Sequence, residues 1–127
     1  TILPVFSPRE NFRLDLYPSY KAHRKDKRKP LALRWLIEWI GIAYSGVTAD
    51  NMEADDLIGI LCTRDPEGTI AVSGDKDFGT LPITWYNPLK DELKSISPEE
   101  ARCYHLVQTL SGDYNEATKE ITLWNPR

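Results

Sequence analysis

The chain has 127 residues, 41% hydrophobic and 28% charged, which suits one folded α/β domain with a buried core and excludes a disordered or low-complexity chain. Its formal charge of −3 is mild but uneven. Residues 21–29 are strongly basic and the acids gather further on, so a local patch, not the total, decides any affinity for nucleic acid.

In chain order, an apolar stretch at 2–6 predicts a strand, entered so directly from Thr1 that a further element upstream is expected. A loop then reaches the basic run, and Pro30 stands where a helix can start. Residues 31–44 carry Leu33, Leu36, Ile37, Trp39, Ile40 and Tyr44 at helical spacing, so Trp35, Trp39 and Tyr44 are expected to pack rather than to stack on bases. The segment is interrupted by Arg34 and Glu38 and is too short to span a bilayer; with no signal peptide or anchor pattern, no membrane association is expected. Gly46-Val47-Thr48 predicts a short strand, and residues 53–63 a helix with Leu57, Ile58, Ile60 and Leu61 on its apolar side. Cys62 and Cys103 lack a CxxC-type partner, which fits reduced thiols in a cytoplasmic protein.

Asp65-Pro66-Glu67-Gly68 is a turn signal. Ile70-Ala71-Val72 follows as a strand of the kind buried on both faces, and 83–86 predicts another. Ser97-Pro98-Glu99-Glu100 combines an N-cap, a first-turn proline and a capping-box glutamate, opening a helix expected to end near Gly112. The alternation implies one domain over 1–127, a mostly parallel sheet covered by helices.

In such sheets ligands bind beyond the carboxyl ends of the strands, which is where Gly74-Asp75-Lys76-Asp77 lies. If residues 75–77 stay extended, the two carboxylates share a side and Lys76 points away. Glu53-Ala54-Asp55-Asp56 opens a helix with Glu53 and Asp56 on one face, although first-turn acids also suit the helix dipole without any further role. Two negative charges about 4 Å apart at an effective dielectric of about 20 repel by about 4 kcal/mol, so clustering these five carboxylates requires protons or cations. All-oxygen ligands point to Mg²⁺ or Mn²⁺ rather than zinc. Asp113 and Glu116 form a third acidic element, although Gly112-Asp113 also suits a helix C-cap.

Phe12-Arg13, Tyr17-Pro18-Ser19-Tyr20-Lys21-Ala22-His23-Arg24, Glu53-Ala54-Asp55-Asp56-Leu57-Ile58-Gly59, Ser73-Gly74-Asp75-Lys76-Asp77 and Gln108-Thr109-Leu110-Ser111-Gly112-Asp113 occur in one order. This ordered set resembles the 5′-to-3′ exonuclease and flap endonuclease family of the PIN-like superfamily, notably its T7-like phage members. The resemblance covers 1–113, with 114–127 as a C-terminal tail. It implies a three-layer PIN-like α/β fold and a metal-ligand set of Glu53, Asp55, Asp56, Asp75, Asp77 and Asp113, with Glu116 where a second aspartate is usual. It implies a catalytic set of Lys21, Arg24, Asp56 and Asp75, with Lys21 and Arg24 near the scissile phosphate. Arg13, Tyr20, Lys25, Lys27, Arg28 and Lys29 would join them along the DNA. Two divalent ions, a DNA duplex with a free 5′ end or flap, a monomer, and the cytoplasm of an infected bacterial host for a phage-encoded protein complete the expectation.

The sequence also departs from the pattern. Among these residues no counterpart of the family's first-strand aspartate stands, Pro8 stands where an acid precedes Phe12-Arg13 in relatives, Glu10 being a poor substitute, and no glycine-rich helical hairpin follows Asp113, whether because a segment lies outside this sequence or because the protein is shortened. Three readings follow: a metal-dependent 5′ nuclease or its core; a catalytically weakened DNA-binding or accessory protein on the same scaffold; and a phosphatase-type domain with clustered aspartates, which leaves the Tyr20–Arg24 segment unexplained.

Overall fold

The computed structural model describes residues 1–22, 28–110 and 112–123. The chain divides into two compact units, Thr1–Ile58 and Gly59–Arg127.

The first unit contains β1 (Val5–Phe6), α1 (Phe12–Leu16), α2 (Leu33–Ala43), β2 (Val47–Thr48) and the opening turn of α3 (Ala54–Arg64). β1 and β2 pair in parallel, Val5 opposite Val47 and Phe6 opposite Thr48. The connection from α2 is tight: Gly46 N–H donates to the Gly41 carbonyl at 2.8 Å and Val47 N–H to that of Pro4 at 2.9 Å. A Cβ on Gly46 would lie 2.6 Å from the Phe6 ring and 3.2 Å from Gly41 Cα, so the absence of a side chain lets the pair close. α1 occupies part of the expected loop. Asn11, nearly buried, accepts from Arg13 N–H at 3.1 Å and so supplies an N-cap within the chain's own turn.

α2 forms where its spacing predicts, but its burial differs from expectation. Trp35 is 76% exposed, Trp39 61% and Tyr44 49%, and no α2 residue is buried. The reason lies in the composition of the helix. Apolar residues cover a wide arc, leaving only the stripe of Arg34, Glu38 and Gly41, so periodicity locates the helix without choosing which part of that arc faces inward.

The second unit continues α3 and adds β3 (Ala71–Val72), a 3₁₀ helix (Lys76–Thr80), β4 (Thr84–Asn87), β5 (Glu92–Ser95), α4 (Pro98–Leu110), β6 (Gly112–Asn115) and β7 (Glu120–Leu123). β3 and β4 are parallel, with Ala71 opposite Trp85; β4 and β5 form an antiparallel hairpin, with Thr84 opposite Ser95. The parallel pairing implied by strand–helix alternation is thus present in each unit, giving mixed α/β content built from small sheets.

Among the described residues, the buried hydrophobics Cys62, Ala71, Phe78, Ile83, Trp85, Ile96 and Ala101 all belong to the second unit. β3 is buried on one face only: Ala71 is inside, while Ile70 and Val72 are more than half exposed. Period-two alternation sends the neighbours of Ala71 to the uncovered face.

The predicted capping box is formed. Ser97 Oγ accepts from Glu100 N–H at 3.2 Å, and Glu100 Oε2 accepts from Ser97 N–H at 3.0 Å. Beyond α4, Gly112 and Asp113 enter β6 instead of a helix C-cap, and β6 pairs antiparallel with β7, Asp113 opposite Thr122. Backbone pairing across the hairpin outweighs the local cap preference of glycine. Cys62 and Cys103 are free thiols. No described helix is long and apolar enough to cross a membrane.

Candidate functional site

In the first unit the acids at the start of α3 meet bases delivered by α1 and the turn after it. Ser7, directly after β1, accepts from Ala54 N–H at 2.9 Å and satisfies a donor at the helix start. Phe12 N–H donates to the Asn51 carbonyl at 3.0 Å, tying α1 to the same place. Arg13 is thereby aimed at Asp56 and grips it with two bonds, Nη1 to Oδ2 at 2.5 Å and Nη2 to Oδ1 at 2.7 Å. Asp56 Oδ2 also accepts from Glu53 N–H at 3.2 Å.

Glu53 is held by the turn. Lys21 Nζ donates to its Oε1 at 2.8 Å and Tyr20 Oη to its Oε2 at 3.1 Å, while Arg13 Nη1 lies 3.4 Å from that same Oε2. Tyr20 N–H donates to the Tyr17 carbonyl and Lys21 takes a left-handed φ of 52°, so adjacent side chains reach one carboxylate. Arg13 also lies over the Phe12 ring, 4.6 Å from its centroid, and Lys21 over Tyr20 at 4.8 Å.

The electrostatic effects follow from these bonds. The hydrogen bond from Arg13 holds the Asp56 carboxyl below its ordinary range, and the same bond raises the guanidinium. Burial acts to lower Lys21, but its hydrogen bonds with Glu53 and Tyr20 outweigh that and raise it. Asp55 is exposed on the same helical turn.

In the second unit, Asp75 and Asp77 are neighbours, but 75–77 are not extended. Asp75 caps the 3₁₀ helix, its Oδ1 accepting from Asp77 N–H at 3.0 Å, because an aspartate two residues before an unpaired N–H readily closes an Asx turn. Asp75 N–H in turn donates to Ser73 Oγ at 3.1 Å. Gln108 Nε2 on α4 donates to Asp77 Oδ1 at 2.9 Å. Both aspartates are exposed. Asp113 and Glu116 line a polar recess with Asn115, Ala117 and Thr122. Glu116 accepts from Lys94 Nζ at 2.8 Å and closely from Tyr104 Oη.

The predicted site residues therefore fall into three groups: Arg13, Tyr20 and Lys21 with Glu53 and Asp56; Asp75 with Asp77; and Asp113 with Glu116. Arg28 and Lys29 are exposed, whereas Arg24, Lys25 and Lys27 lie outside the described residues. Among the described residues no three acids, histidines or cysteines form a metal-holding group. Ser7, Lys94 and Tyr104 had no signal in the sequence, since each role depends on a distant partner. Gln108 stands inside a quoted motif, but its bond to Asp77 does not follow from the motif.

A family model, that of the 5′-3′ exonuclease N-terminal resolvase-like domain, matches residues 1–105. The chain belongs to this family. It is 27% identical over 133 residues to the exodeoxyribonuclease of Enterobacteria phage T3, covering 97% of this chain and 43% of that protein. With the exonuclease of Escherichia phage T7 the identity is 26% over 136 residues, covering 97% and 44%. A 5′-3′ exonuclease of Mycobacterium tuberculosis is 38% identical over 88 residues, 55% of this chain and 27% of that protein. The chain thus spans less than half the length of these relatives. No solved structure matches it significantly.

Proposed function

We propose that the chain is the core of a metal-dependent 5′-to-3′ exonuclease or flap endonuclease that hydrolyses DNA phosphodiester bonds with two Mg²⁺ or Mn²⁺ ions. The observation that carries the reading is the convergence of two carboxylates on one positive centre. Arg13 Nη1 stands 2.5 Å from Asp56 and 3.4 Å from Glu53, in a member of an exonuclease family. Such an all-oxygen pair suits a hard divalent cation.

Glu53, Asp55 and Asp56 in the first unit, and Asp75, Asp77, Asp113 and Glu116 in the second, are the residues proposed as ion ligands. Bound divalent ions supply an activated water and charge for the leaving oxygen. The chain's own part is electrostatic: Lys21 and Arg24 add positive charge where the phosphate becomes more negative, and Arg28, Lys29, Lys25 and Lys27 grip the backbone. No carboxylate need be a nucleophile.

The test is cleavage of a 5′-labelled duplex bearing a single-stranded flap, with Mg²⁺ or Mn²⁺ and with chelator, beside Asp75→Ala. Metal-dependent cleavage reduced about 100-fold or more in the variant is expected, since even outer-shell partners of metal ligands are worth 10- to 100-fold. A second reading, a DNA-binding protein without cleavage, is favoured by Pro8 at the place of an acid. Salt-dependent flap binding with no metal-dependent cut would select it.

A further inference from the structure

Counting lone pairs around Glu53 and Asp56 leads beyond the ligand assignment. Each carboxylate oxygen has two acceptor positions. Asp56 Oδ2 already accepts from Arg13 Nη1 and from Glu53 N–H, and Oδ1 from Arg13 Nη2. Glu53 Oε1 accepts from Lys21, and Oε2 from Tyr20 with Arg13 Nη1 beside it. The position between Asp56 Oδ2 and Glu53 Oε2 is filled by Arg13 Nη1, 2.5 Å from one and 3.4 Å from the other. Two acids and two bases make the group neutral as it stands.

We infer that Arg13 is a resident counter-ion that competes with a divalent cation for the position between Glu53 and Asp56, so that metal loading displaces the guanidinium. The inference rests on the metal reading proposed above. A small hard cation binds carboxylate oxygens at about 2.1 Å, and both acceptor positions of Asp56 Oδ2 are already taken, so a cation binding there requires one of those bonds to be given up. Coulomb repulsion between the two cations acts the same way. The displaced group has a nearby resting place, because its Cζ already lies over Phe12 and 5.9 Å from the centroid of Tyr20. Lys21, bonded to the far oxygen of Glu53, can stay.

The experiment is a calorimetric titration of the full chain and of Arg13→Gln with Mn²⁺. Arg13→Gln is expected to bind about tenfold more tightly, equivalent to about 1.4 kcal/mol. Equal or weaker binding by the variant overturns the competition and leaves the metal reading intact. Absence of Mn²⁺ binding in both proteins overturns the metal reading and this inference with it. Should Arg13→Gln fail to fold, the wild-type chain provides the second measurement: the side-chain Nη–Hη signal of Arg13, whose nitrogens carry the bonds to Asp56, followed by NMR during Mg²⁺ titration. Loss of its protected, bonded signature at saturation is expected, and an unchanged resonance in metal-saturated protein overturns the displacement.

Discussion

The two units are held by different forces. In residues 59–127 apolar side chains from α3, β3, β4 and α4 are buried together with Phe78, Ile83 and Ile96. In residues 1–58 no hydrophobic residue among those described is buried, and the strongest links are hydrogen-bonded charges: Arg13 with Asp56, and Lys21 and Tyr20 with Glu53. The first kind of cohesion is non-directional and is not weakened by charge screening. The second depends on geometry, ionic strength and any cation that enters the acids. The part of the molecule richest in candidate chemistry is therefore the part whose order is most open to its ligand.

This contrast can be broken by mutation. Ile83 is 2% exposed, and Ile83→Ala is expected to cost about 2–5 kcal/mol, read as a lower urea midpoint at unchanged slope. A cost below 1 kcal/mol would deny the second unit its apolar core.

A pH titration sharpens the contrast from the other side. The hydrogen bond from Lys119 Nζ to Glu100, 2.7 Å long, together with the Ser97 amide, lowers the Glu100 carboxyl below its ordinary value. A depressed carboxylate contributes stability that is present above its unfolded pKa, about 4.3, and is lost as pH falls through the folded value. Wild type is expected to lose more stability than Glu100→Gln between pH 5 and acid, checked by urea midpoints at each of several pH values. Parallel pH curves would remove the claim that charge matters at this helix start.

Trp35→Gln is expected to change stability least, within about 0.5 kcal/mol, because its side chain is largely exposed. A loss above about 1 kcal/mol in thermal unfolding would mean that the first unit has an apolar core after all.

The features legible in the sequence were those carried by near neighbours. The Ser97–Glu100 box works across three residues, and its two reciprocal bonds are present. The positions of β1–β4 and α2–α4 followed from turn residues and spacing, whereas α1 and β5–β7 did not, and the ordered motifs up to Asp77 lie within the family match over residues 1–105. The fold of 75–77 was misjudged, although the signal was local: Asp75 precedes an N–H that it can cap, and side-chain capping outweighed the extended conformation. The inward part of α2 was not decidable, since Leu, Ile and Trp cover an arc wider than one packing face. Arg13 and Asp56 stand 43 positions apart, and Gln108 and Asp77 stand 31 apart, so neither bond had a sequence signature. The sequence placed Arg13 against DNA; the structure turns it inward onto a carboxylate.

One contact in the second unit also has a practical use. Trp85 is 8% exposed, and its indole Nε1–H donates at 2.8 Å to the carbonyl of Ser73, the residue just before Gly74-Asp75-Lys76-Asp77. Trp35 and Trp39 stand mostly in water, so their emission lies to the red of a shielded indole. Among the described tryptophans Trp85 is thus the shielded one, bonded to the backbone beside the aspartate pair, and a shift at the blue edge of the fluorescence is the expected optical sign of a change in that backbone.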